Sequence, residues 1–77
     1  MVTYTPRAQR IRETLPRHKQ TALDTGMAAI AQDPYGSGSS ATWSKDRREA
    51  TIGGGLFVVY QITAAELLVT VVDVLSP

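Results

Sequence analysis

The stretch "SKDRRE" places Lys45, Arg47, Arg48 and Glu49 close together in the chain. Cations beside a carboxylate can hold developing negative charge while the carboxylate takes a proton. In an extended segment side chains alternate, so Arg47 and Glu49 share one face and Arg48 takes the other. The same charges also suit an edge strand blunted against aggregation, and that reading is preferred. His18 is the only histidine, a residue type often used for acid–base work. It follows Pro16 and Arg17 at a helix start, which fits a surface histidine better. The chain has no cysteine, which removes disulfides, thiolate ligands and thiol nucleophiles. Its carboxylates do not cluster at ligand spacing, so no metal and no cofactor is expected.

These groups must be positioned by a small scaffold. The chain has 77 residues, enough for one domain spanning 1–77 but only a modest core. A partner or a second copy would add stability. With 43% hydrophobic and 19% charged residues, the balance is globular rather than disordered. No signal-peptide run opens it, and no stretch approaches the roughly 20 apolar residues of a spanning helix. A soluble, cytoplasmic protein away from membranes is the expectation. The net charge of +1 hides an asymmetry. Residues 1–20 hold Arg7, Arg10, Arg12, Arg17 and Lys19 against Glu13 alone, and every other acid lies further on. Such a segment can touch phosphate, although a solvated helix face is the preferred reading.

"VTY" is a short β-prone opening. Thr5 then reads as an N-cap with Pro6 at the first helical position. Ala8, Ile11, Arg12 and Leu15 follow at helical spacing, with the Arg12 stem able to lie along the core. Leu15-Pro16 breaks that helix, and Pro16 fits the first turn of a second one through "RHKQTALDTGMAAIAQ". Leu23, Met27, Ile30 and Ala31 recur along it. Gly26 inside it costs about 1 kcal/mol against alanine, which close packing on the first helix would explain. Tyr35, beside Pro34, fits a residue closing the second helix. "DPYGSGSSATWSKD" reads as a connector, without the lysine arrangement or following helix of a phosphate loop. Trp43 within it suits the edge of a core, with base stacking a lesser option.

From "DRREATI" onward the pattern is β-like: a strand, a "GGG" turn or bulge, then "LFVVYQIT" and "ELLVTVVDVL". Pairing Ile62 opposite Leu67 sorts two faces. Leu56, Val58, Tyr60, Ile62, Leu67, Val69 and Val71 make the purer core, which the helices should cover. Phe57, Val59, Gln61, Leu68, Thr70 and Val72 make a mixed, half-open face whose apolar patch around Phe57 suits a partner.

The order of strand, helix hairpin, loop and three-stranded meander resembles the RelE/ParE toxin superfamily. The residues that carry the resemblance are "YTPRA", the "LP" between helices, "AIAQDPYG", and "IGGGLFVVYQI" followed by "ELLVTVVDV"; they cover nearly the whole chain. The resemblance implies an α+β fold, a helical hairpin packed on a mainly antiparallel three- to four-stranded sheet. It also implies a toxin neutralised by an antitoxin that wraps over sheet and helices. RelE-type members cut messenger RNA on the ribosome, and ParE-type members inhibit DNA gyrase. This chain departs at decisive places. Where RelE-type enzymes have an arginine in a "YRVVY"-like run, "LFVVY" has Phe57. The basic residues and tyrosine that follow the last strand in such enzymes are replaced by "DVLSP", and the absence of further residues there is part of the expectation. Cleavage by 2′-OH attack needs a base, an acid and cations, and Phe57 supplies none of these. Tyr60, on the core face, is assigned to packing.

Three functions are therefore expected in order. The first is a catalytically degenerate member that grips a protein partner, an antitoxin or a target, through the Phe57 face. The second is an active ribosome-dependent messenger RNA endonuclease using Lys45, Arg47 and Arg48, with Glu49 as base. The third is a small structural homodimer with no toxin role.

Overall fold

Thr5 opens the first helix as its sequence predicts: its side chain accepts a hydrogen bond from the Ala8 N–H at 3.2 Å, and Pro6 needs no N–H partner at the first helical position. The computed structural model describes residues 1–33, 35, 39–41, 46–63 and 68–76. Trp43, Lys45 and Leu67 lie outside them. The elements run β1 (Val2–Tyr4), α1 (Pro6–Thr14), α2 (Arg17–Gln32), β2 (Ser39–Ala41), β3 (Arg47–Ile52), a 3-10 turn (Gly53–Gly55), β4 (Leu56–Thr63) and β5 (Leu68–Leu75). Leu15 is the C-cap of α1 in extended conformation, and Pro16 is the N-cap of α2 rather than part of its first turn.

The strands form one sheet in the order β1-β5-β4-β3-β2. Only β1 runs parallel to its neighbour, pairing Val2 with Val69 and Tyr4 with Val71. The architecture is the expected α+β one, and the sheet is a strand wider because Ser39–Ala41, within the expected connector, pairs with β3. Ala8, Leu15, Leu23 and Met27 from the helices meet Ala50, Leu56, Val58, Tyr60, Ile62, Val69, Val71 and Val74 from the sheet. All six described members of the predicted core face are buried, and Tyr60 is fully so.

Two packing expectations change. Gly26 does not serve the contact between helices. A Cβ built there would stand 2.9 Å from the Cβ of Ile52, so the missing side chain lets α2 settle onto β3 and the turn after it. Arg12, one-quarter exposed, does more than lie along the core: its Nη2 and Nε donate to the two carboxylate oxygens of Asp24 at 2.6 and 3.0 Å. Tyr4 Oη donates to the same carboxylate at 3.4 Å, tying β1, α1 and α2 together. The Arg12 bond holds the Asp24 carboxyl below its ordinary range, burial and Asp24 hold the Tyr4 hydroxyl above its own, and Asp24 raises the Arg12 guanidinium.

Candidate partner-binding face

The hairpin register differs from the expected one. Ile62 stands opposite Val69 and Thr63 opposite Leu68, a slip of two positions from the Ile62–Leu67 pairing. Because strand side chains alternate with period two, a two-residue slip exchanges neighbours without exchanging faces. Leu56 and the alternate residues after it therefore still meet the helices, while Phe57, Val59 and Gln61 point to the other side.

A second difference lies in β5. Val59 pairs with Asp73 but Tyr60 pairs with Val71, which leaves Val72 as the extra residue of a bulge. The core parity of Val69 and Val71 would carry on to residue 73, yet the buried residue is Val74. An aspartate at an expected core position was the signal of this bulge, since an unpaired buried carboxylate is costly. The shift turns Asp73 outward, where its Oδ1 accepts from the Val74 N–H at 2.9 Å and meets Arg7 Nε at 3.4 Å.

The open face thus has three ordered rows across the sheet. Thr51, Phe57 and Leu75 form one, Glu49, Val59 and Asp73 the next, and Arg47, Gln61 and Thr70 the third, with Thr3 of β1 beyond Thr70. Leu68, opposite Thr63, lies past the third row, and Val72 sits at the bulge. Phe57, Val59, Gln61, Leu68, Thr70 and Val72 are all half-buried. Leu75 is 55% exposed, so the apolar patch spreads from Phe57 onto β5, a neighbour the sequence analysis did not include. Beside Asp73, Arg7, Arg10 and Ile11 line an open hollow of about 320 Å³ on α1.

Of the candidate cations, the described Arg47 and Arg48 do not converge on Phe57. Arg48 pairs with Tyr60 and so belongs to the helix side of β3, where its guanidinium lies 5.5 Å from the centre of the Tyr35 ring. Tyr35 Oη donates to Asp46 at 2.9 Å, and that bond raises its hydroxyl above the ordinary range. The described contacts of Tyr35 are thus with the start of β3, whereas the end of α2 is closed by the Asp33 N–H donating to the Ile30 carbonyl. Arg47 shares the open face with Glu49, as alternation requires, but stands opposite Gln61. Four residue steps along the strand separate it from Thr51, the partner of Phe57, about 13 Å at 3.3 Å per step. His18 is exposed at the start of α2. Among the described residues no group of three metal-ligating side chains occurs, and no helix is long and apolar enough to cross a membrane.

The fold is thus a helical hairpin laid on one face of a mainly antiparallel sheet, with the other face open. Three solved structures share it. The chain matches the intact E. coli RelBE toxin–antitoxin complex with a TM-score of 0.85 and 17% identity, over 100% of this chain and 95% of that one. The isolated E. coli RelE toxin matches at 0.83 and 17% identity, over 96% and 80%. A mutant E. coli RelE toxin bound to a RelB antitoxin peptide matches at 0.82 and 17% identity, over 96% and 79%. At that identity the likeness establishes the fold. No family model and no curated protein sequence matches the chain.

Proposed function

We propose that this RelE-like protein works by gripping a protein partner through the open sheet face and carries no ribonuclease chemistry of its own. The observation that carries this reading is Phe57, half-buried on the open face between Thr51 and Leu75, where the resemblance calls for an arginine. A ring can neither transfer a proton nor neutralise a crowded phosphate, and loss of one such donor typically costs about 10²–10³ in rate. Arg47 and Arg48 lie on opposite faces of β3, which argues against their acting together. Two of the structural neighbours are toxins held by an antitoxin, which favours an antitoxin-like segment as the partner. Phe57, Val59, Gln61, Leu68, Thr70 and Val72 would form its seat.

Expression in bacteria with mapping of transcript 5′ ends tests this directly. The expected result is a transcript profile unchanged by expression, together with capture of the neighbouring reading frame's product that Phe57→Glu abolishes. Codon-linked cuts that disappear in Arg47→Ala/Arg48→Ala would overturn the proposal in favour of the nuclease. Light scattering of the lone protein addresses the structural homodimer: a dimer that Phe57→Glu leaves intact and that refuses helical partners would favour that third function.

A further inference from the structure

We propose that the open face selects an amphipathic helix bearing a lysine or arginine at the margin of its apolar stripe, and that Glu49 receives this cation. The inference rests on the partner-binding reading above and specifies the partner's chemistry.

Glu49 is half-buried and stands opposite Val59, in the middle row of the face. Among the described residues its carboxylate has no hydrogen bond or ion pair, whereas three other acids, on α2, before β3 and on β5, are matched. Asp24 is held by Arg12, Asp46 accepts from Tyr35, and Asp73 is met by Arg7 and the Val74 N–H. Any apolar surface that covers Phe57 and Val59 also strips water from Glu49. Burying a carboxylate without a counter-charge costs more than the surrounding apolar contact returns, so a partner must bring a donor to that point. The geometry fits one helical turn. Glu49 and Phe57 are diagonal neighbours across β3 and β4, about 7–8 Å apart, and positions i and i+4 of a helix stand about 6 Å apart. An anchor seated on Phe57 and Leu75 would thus carry a lysine, one turn on, to the carboxylate.

A helix suits this face better than an added strand, since the outermost strands β1 and β2 offer only three residues each for pairing. A polyphosphate chain suits it less, because its charge would meet Glu49 and Asp73 in the same row. Arg47 lies a row away beside Gln61, and Arg7 is already directed at Asp73.

Fluorescence anisotropy with two labelled alanine-based helical peptides tests the assignment. Both carry the same leucine stripe, flanked by lysines in one and by glutamates in the other. The lysine peptide is expected to bind wild-type protein at least about tenfold more tightly, like-charge pairing being strongly unfavourable across an interface. In Glu49→Gln the two affinities should fall within about twofold of each other, and in Glu49→Lys the order should invert. Thermal melts of both variants should match wild type, because Glu49 has no internal partner to lose. Equal binding of the two peptides, abolished by Phe57→Glu, would overturn the role of Glu49 while leaving the docking face standing. Failure of both peptides to bind would remove the docking face as well. A labelled single-stranded oligoribonucleotide that binds wild type and is lost in Phe57→Ala would replace the peptide partner with RNA.

Discussion

Arg12, Asp24 and Tyr4 connect three elements through side chains that all touch water, so their contribution depends on pH more than on packing. Asp24 has a folded-state affinity for protons below the ordinary one. The stability it adds is therefore complete above the usual carboxylate range and is lost as pH falls through its lowered folded value. Tyr4 is displaced the other way. Its contribution is complete below the usual phenol range and disappears as pH rises through the raised value. Because the Arg12–Asp24 pair is partly exposed, solvent screening limits its worth to about 0.5–1 kcal/mol despite two-pronged geometry. Asp24→Asn should lose about that much in urea denaturation at pH 7. The gap to wild type should narrow at pH 3, and a gap of equal size at both pH values would mean the charge is not what stabilises the link.

At the scale of elements, the approach of α2 to β3 decides how tightly the helices seat on the sheet. Gly26→Ala gains about 1 kcal/mol of helix propensity, yet its Cβ would lie 2.6 Å from Ile52 Cδ1 and 2.9 Å from Ile52 Cβ. The first atom can swing away, but the second moves only with the backbone of β3. Overpacking of that kind typically costs 1–3 kcal/mol, so a net loss of about 1 kcal/mol and a melting point lower by roughly 4–8 °C are expected. A calorimetric melt as high as wild type would place the constraint elsewhere. Gly26 also marks what the sequence could and could not reveal. Thr5, Pro6 and Pro16 announce the helix boundaries through local chemistry, and period-two alternation from Leu56 to Ile62 assigns both faces of β4. A glycine in a helical pattern says that something comes close without saying what. The hairpin register was hidden for a related reason: alternation fixes parity, and both the Leu67 and the Val69 pairings preserve it. Asp73 did break the parity of β5, and reading that break as a bulge would have recovered Val74 for the core and Leu75 for the patch. The Phe57 face was legible from alternation alone, whereas the isolation of Glu49 required the third dimension.

At the scale of the whole molecule, the helix side of the sheet holds the buried core, and the proposed recognition is assigned to the other side. Leu56 and Phe57 are adjacent in the chain and test this division directly. Leu56 is fully buried under the helices, so Leu56→Ala should cost about 2–5 kcal/mol through lost transfer energy and a residual cavity. For a domain of this size each kcal/mol moves the melting point by about 4–8 °C, which places that variant roughly 10–30 °C below wild type. Phe57 is the larger side chain, but it already meets water, and truncation removes only part of a burial term of about 1.5–3 kcal/mol. Phe57→Ala should therefore cost about 1 kcal/mol while abolishing the binding of any partner that uses the open face. Circular-dichroism melts of the two variants, run beside partner titrations of Phe57→Ala, separate folding from recognition. If Phe57→Ala unfolded as readily as Leu56→Ala, the open face would belong to the stabilising core, and a partner-gripping role for it would lose its physical basis.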